Sequence, residues 1–339
     1  MMTLQIIWFI LVGVLIIGYA ILDGFDFGVG VLHLFSKSES ERRINMNAVG
    51  PVWDGNEVWL LTGGGALFAA FPIVYATVFS GFYLALILLL AALIFRAVSF
   101  EFRGKVDSPS WKRFWDYAFG IGSLLPAILF GVAFGNILRG VPVDQSGAYL
   151  GTFLGLLNPY SILIGLLSLF MFLTHGSIYL AMKTEGDLQN RIMNRINPFW
   201  ITYVILYILA TFYTMFEASY LFIGTLSSPL FWIVFLLLLA SIIYIPVAVK
   251  AKKLFTAFIS SSVSIASIIG IAAISLFPRL VPSNIDLNYS LTITNASSSE
   301  GTLTAMLIIA LIGVPIVIVY TVYIYRVFKG KVVLNEESY

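Results

Sequence analysis

Two short stretches, "LDGFDFGVG" (22–30) and "PVWDGNEVW" (51–59), each place two acids three residues apart in apolar surroundings. The pairs are Asp23 with Asp26 and Asp54 with Glu57. Three residues apart on a helix, two carboxyls share one face. A third stretch, "FRAVSFEFR" (95–103), adds Arg96, Glu101 and Arg103, and "WKRFWDYAFG" (111–120) adds Asp116. Carboxyls in such a setting do one of two kinds of work: they carry protons, or they balance a buried cation. An ionised carboxylate at the centre of a bilayer costs about 2.5–3.5 kcal/mol, less near the interface, so several at one depth ask for a reason. For Asp54 and Glu57 helix capping is an alternative, since acids are stabilised at a helix N-terminus. Asp23 and Asp26 fall toward a helix C-terminus, where the dipole disfavours them; their alternative is pairing with Arg96 or Arg103. The glycines nearby (Gly24, Gly28, Gly30 and Gly63 to Gly65) read as close helix packing. They are no nucleotide loop, because no strand precedes them.

The elements that must hold these residues follow from composition. The chain has 339 residues, 60% hydrophobic and 11% charged, with mean hydropathy +0.96. A soluble domain carries about 25% charge. The reading is therefore an all-α, polytopic membrane protein, with helices preferred over a barrel because no short alternating strands are seen. Nine segments are long and apolar enough to cross: 4–30, 51–72, 75–100, 114–138, 158–182, 198–221, 229–249, 255–277 and 303–327. The first is read as a retained span rather than a cleaved signal. On this count all Lys and Arg except Arg139 and Arg279 fall at one end. The positive-inside rule then predicts an outside N-terminus and a cytoplasmic C-terminus. The acids of the first four spans all fall in the cytoplasmic half. The segment 278–302, polar and poor in charge, is expected to be a cap or a contact surface. Cysteine is absent, which excludes disulfides and thiolate ligands. His33 and His175 are the two histidines; they are read as interfacial rather than as a haem pair, and Glu217 as a lone interfacial acid. No nucleic-acid partner and no metal site are expected.

Several long runs carry a resemblance: "LDGFDFGVG", "ERRINMNAVGPVWDGNEVWLLTGGGALFAAFP", "YATVFSGFYLALIL", "FRAVSFEFR", "GVAFGNILRGVP", "LLNPYSIL" and "PIVIVYTVYIYRVF". With them the whole chain closely resembles subunit II of the cytochrome bd-type quinol oxidases. The resemblance implies two four-helix bundles plus one peripheral helix. Residues 1–140 would form the first bundle with its acidic cluster and 150–280 the second. Residues 281–302 would be the extracytoplasmic loop, and 303–339 the peripheral helix with a cytoplasmic tail. It implies a haem-free subunit of a prokaryotic cytoplasmic-membrane complex that reduces O2 to water with electrons from a quinol. Haem b, haem d and the quinol-oxidation site would lie in a larger partner, subunit I. A small single-helix accessory subunit and membrane lipid are further implied partners. This subunit would scaffold the partner and carry a cytoplasmic proton-uptake path. Asp26 and Asp54 match acids proposed for that path; Asp23, Glu57 and Glu101 complete the expected set, although Glu57 is a position where family members carry Gln. Trp53 and Arg96, with Arg103, lie where the head group of a structural quinone would sit. Two other readings stay open on the residues alone. One is a secondary transporter, whose signs would be internal repeats and midplane charges. The other is a structural subunit whose acids only cap and pair.

Overall fold

The computed structural model describes residues 1–334, and its frame is eleven α-helices. They are α1 (Met2–His33), α2 (Glu39–Val49), α3 (Trp53–Ala70), α4 (Pro72–Gly81), α5 (Tyr83–Phe102), α6 (Pro109–Arg139), α7 (Pro159–Lys183), α8 (Gly186–Glu217), α9 (Pro229–Lys250), α10 (Leu254–Leu276) and α11 (Glu300–Val327). Helix is what long apolar runs must adopt in lipid, because each backbone donor and acceptor then pairs inside its own segment. Proline opens α4, α6, α7 and α9, a position where its missing N–H costs nothing.

Among the described residues, eight helices are long and apolar enough to cross a membrane: α1, α5, α6, α7, α8, α9, α10 and α11. The expected second span, α3, is not among them; its 18 residues include Asp54, Asn56 and Glu57. The expected third span, 75–100, needs correction. Pro72 starts a separate ten-residue helix, α4, and the crossing helix begins only at Tyr83. The loop after α1 also holds a helix, α2, whose N-cap Ser38 accepts a hydrogen bond from the Glu41 N–H and which buries Met46, Ala48 and Val49.

Helix α1 runs through the middle of the molecule and packs on α3, α6, α7 and α10. Its crossing with α7 is made by two glycines. A Cβ on Gly176 would lie 2.7 Å from the Gly28 Cα, and one on Gly28 would strike the Phe172 carbonyl oxygen. One apolar core runs through this contact, from Phe25, Phe27 and Val29 of α1 to Ile178 of α7, Leu238 of α9 and Ile265 of α10. Helices α9 and α10 pair with one another, α8 lies along α7, and α11 rests on α1 and α3.

The segment after α10 is a fastened cap. Strand β1 (Arg279–Val281) pairs antiparallel with β2 (Leu291–Thr292). Ser283 Oγ donates to the Val143 carbonyl, the Asn284 N–H to that of Val141, and the Ser298 N–H to that of Ala70 at the end of α3. At the opposite, basic end the segment that follows α11 is fastened too. Lys331 Nζ donates to the Thr184 carbonyl at 2.5 Å, beyond the end of α7, while Lys183 Nζ donates to the Phe328 carbonyl that ends α11. Each helix end thus receives the other's lysine, the charge a C-terminal dipole favours.

Candidate functional site

Three helices converge on one guanidinium. Helix α1 supplies Asp23 and Asp26, α3 supplies Asn56 and Glu57, and α5 supplies Arg96. Arg96 Nη2 lies 2.6 Å from Asp23 Oδ1, and Nη1 lies 3.2 Å from Asp23 Oδ2 and 3.0 Å from Glu57 Oε1. Asp26 Oδ2 is 3.8 Å from Nη2. The side chains of Arg96, Asp23 and Asp26 have no exposure at all, and that of Glu57 has 22%. The Phe27 ring covers the guanidinium at 4.6 Å. Behind it α6 comes close because residue 122 is glycine. A Cβ there would sit 2.7 Å from the Ala92 carbonyl oxygen and 3.0 Å from Arg96 Cβ.

Asn56 orders the second acid. Its Nδ2 donates to Asp26 Oδ2 at 2.7 Å and to the Leu22 carbonyl at 3.1 Å. Its Oδ1 accepts from Tyr325 OH of α11 at 2.9 Å. Every polar atom of this carboxamide is therefore assigned, and the peripheral helix takes part in the site. Asp26 Oδ1 and Arg96 Nε remain buried without a hydrogen-bond partner.

The structure thus brings together Asp23, Asp26, Glu57 and Arg96 of the expected set. It leaves Asp54 and Glu101 exposed on the isolated chain. Asp54 lies in the first turn of α3, where the helix dipole favours an acid, whereas Glu57 is bonded to Arg96. Trp53 stacks on Phe100 with ring centroids 5.1 Å apart. Asn56 and Tyr325 were not among the expected residues. The first sits inside the quoted motif; the second, 269 positions away, carries no local signal.

Arg103 belongs to a second cluster, nearer the basic end. Its Nε lies 2.7 Å from Asp116 Oδ1, and its Nη2 lies 2.8 Å from Glu39 Oε2. His33 Nε2 meets the same Asp116 oxygen at 2.8 Å, and Arg42 Nε is 3.5 Å from Asp116 Oδ2. An open groove of about 700 Å³ reaches this aspartate. At its rim Lys112 hydrogen-bonds Asp107 and holds that carboxyl below its ordinary range.

Both histidines depart from the interfacial reading. His33 is 1% exposed and His175 fully buried. His175 bridges three helices, with Nδ1 3.0 Å from Ser261 Oγ, Nε2 3.0 Å from the Ile21 carbonyl oxygen, and its ring stacked on Phe258. A carbonyl accepts only, so Nε2 carries the hydrogen and Nδ1 accepts from Ser261. Glu217 is not alone either; Arg139 Nε lies 2.9 Å from its Oε2.

A family model, "Cytochrome bd terminal oxidase subunit II", matches residues 4–328. The chain belongs to the cytochrome bd terminal oxidase subunit II family. As a subunit II it is 39% identical to the cytochrome bd-I ubiquinol oxidase subunit 2 of Escherichia coli K12, over 98% of this chain and 96% of the relative. It is 38% identical to the cytochrome bd ubiquinol oxidase subunit 2 of Bacillus subtilis 168, over 99% of each. Its fold matches a chain in the structure of bd oxidase from Geobacillus thermodenitrificans with a TM-score of 0.81. That match covers 96% of this chain and 98% of the other at 17% identity. Family membership sets aside the secondary-transporter reading.

The residues expected to hold a quinone fit it poorly in this subunit II. Both terminal nitrogens of Arg96 are bonded to carboxylates, and the side chain is fully buried. Arg103 lies seven residues further on, about 10 Å along α5, and is bonded to Asp116 and Glu39.

Proposed function

We propose that this subunit II is the haem-free scaffold of a quinol:O2 oxidoreductase and delivers protons from the cytoplasm toward the haem-bearing large subunit. The observation that carries the proton role is the buried group of Asp23, Asp26 and Glu57 around Arg96, with Asp26 Oδ1 left without a partner. Three carboxylates against one guanidinium are an excess of acid that can take and release protons within an apolar bundle. The group lies toward the end that carries the basic loops, which the positive-inside rule assigns to the cytoplasm. This reading takes α3 as a ninth span, its acids tolerated because Glu57 meets Arg96. It places the N-terminus outside and the C-terminus inside.

The division of labour follows the family resemblance. Haem b and haem d would lie in the partner and supply the electron transfer from quinol to O2. In this chain both nitrogens of His175 and one of His33 are engaged by protein groups, which supports a haem-free role. Oxygen reduction consumes protons, and drawing them from the cytoplasm while quinol releases its own outside builds a gradient. Apolar side chains such as Ile309, Ile312 and Val319 on the outer face of α11 suit contact with lipid, and a small single-helix subunit would be a further partner. The groups that move protons here are Asp26, Asp23 and Glu57, with Arg96 fixing their geometry. Asp54 and Glu101, exposed on the isolated chain, would contribute only at a surface shared with a partner.

The test is Asp26→Asn in the complex purified with its large subunit. Turnover of O2 with quinol is expected to fall about 100-fold, the scale of a lost proton-transfer group, with the haem spectrum intact. Arg96 also supports a second reading, in which the cluster is only an internal ion pair. On that reading the assembled Asp26→Asn complex keeps its full turnover.

A further inference from the structure

His33 and Asp116 form a buried pair outside the acid group around Arg96. His33 is the last residue of α1, and its side chain is fully enclosed. Nε2 is bound to Asp116 Oδ1 at 2.8 Å, while Nδ1 is buried and has no partner. Asp116 belongs to the lining of the open groove at the basic end, with its side chain 10% exposed, whereas the His33 side chain has no exposure. The charged groups around the pair come from three elements. Helix α2 contributes Arg42 and Glu39, the end of α5 contributes Arg103, and α6 contributes Asp116 itself; the Phe119 ring meets His33 edge-on at 5.1 Å.

The inward side leads along one face of α1. Asp26, Gly30 and His33 recur at intervals of four and three, so they lie in one row. On α6, Asp116 and Ser123 are seven apart and also share a face. The two rows meet midway: the Ser123 hydroxyl occupies the space that a side chain on residue 30 would need. Ser123 is fully buried and donates to the Phe119 carbonyl at 2.8 Å, which leaves its oxygen able to accept. From His33 to Asp26 is about 10 Å along the helix, with Ser123 near the middle.

We infer that the His33–Asp116 pair is the cytoplasmic entrance of the proton route, taking protons from the groove and passing them along the Gly30–Ser123 contact to Asp26. This rests on the proton-uptake reading of the Arg96 cluster. In the step itself one proton comes from water in the groove and is held by the pair. With Nε2–H bonded to the Asp116 carboxylate, the added proton makes the ring a doubly protonated imidazolium; Nδ1 then releases its proton inward and leaves neutral His33 still bonded through Nε2–H, so charge and atoms balance, and no oxidant or reductant takes part. Imidazole suits the task because it exchanges protons near neutral pH while keeping one nitrogen bonded.

The experiment uses the complex with its large subunit. Four variants are compared with wild type: His33→Gln, His33→Ala, Asp116→Asn and Asp26→Asn. Quinol-driven O2 turnover and its solvent hydrogen isotope effect are read between about pH 6 and pH 8. Gln at 33 keeps a donor for Asp116 but cannot carry a proton. The expected result is turnover lowered about tenfold or more in His33→Gln and Asp116→Asn, with a larger isotope effect. Added imidazole is expected to restore His33→Ala. Wild-type turnover in His33→Gln, beside a slowed Asp26→Asn, overturns the entrance and leaves the cluster's role standing. Full turnover in Asp26→Asn overturns both. If His33→Ala does not assemble, the Gln variant carries the decision alone.

Discussion

Arg96 shows at residue scale how a bundle this apolar keeps acids inside. Its guanidinium is the counter-charge for Asp23, which has no exposure, and a direct partner for Glu57. Removing one member of a buried pair leaves the other uncompensated, at a cost of about 3–5 kcal/mol. Arg96→Met is therefore expected to lower the melting temperature of the purified complex sharply or to prevent its assembly. Adding Asp23→Asn to that variant should recover much of the loss, since an amide needs no counter-ion. An Arg96→Met complex that melts like wild type would show that the ion pair holds nothing together. The pairing of Asp23 with Arg96 was already one of the alternatives legible in the sequence, from two rare charges at similar depth. Asn56 as the ligand of Asp26 was not, because a carboxamide in a polar motif has no signature until its neighbours are known.

At the scale of elements, the decisive contact is the crossing of α1 and α7. Gly28 and Gly176 bring the two backbones together, and the methyl of Gly28→Ala would meet the Phe172 carbonyl rather than a movable side chain. The cost of such overpacking is about 1–3 kcal/mol. The expected outcome is a lower melting temperature for Gly28→Ala, beside an unchanged one for Gly64→Ala, where nothing lies within 4 Å. Equal melting of the two would remove the crossing as a packing constraint. Hydropathy located the eight apolar crossing helices well, because length and apolar character are what it averages. It ran α4 into the third span, since a ten-residue helix opened by Pro72 is shorter than any spanning window. It missed α2 for the opposite reason: Glu39, Arg42 and Arg43 hide the buried face that Met46 and Val49 make.

For the molecule as a whole, the strong bias of basic residues to one end was readable from the sequence, and so was the membrane class. How the end of α11 is tied to the end of α7 was not. The C-terminal lysine exchange, Lys331 to Thr184 and Lys183 to Phe328, joins helices that are distant in sequence. Replacing Lys331 with Gln should loosen the last turns of α11. A charge-assisted bond near the surface is worth about 1 kcal/mol, so amide hydrogen exchange over residues 320–328 is expected to quicken about fivefold. Unchanged exchange there would mean that Tyr325 and the cap hold α11 without the tail.

The bond between Tyr325 and Asn56 also sets an order of events during synthesis. A ribosome releases residue 56 long before residue 325, so the acids, Arg96 and Asn56 are all synthesised while the helix that carries the Asn56 carboxamide's partner Tyr325 is still being made. A chain that stops after α10 holds every acid of the cluster together with Arg96, yet its Asn56 Oδ1 lacks the Tyr325 hydroxyl that it accepts from in the whole subunit. Completion of the site is thus tied to completion of the polypeptide, and a prematurely ended subunit carries its charges without their final arrangement.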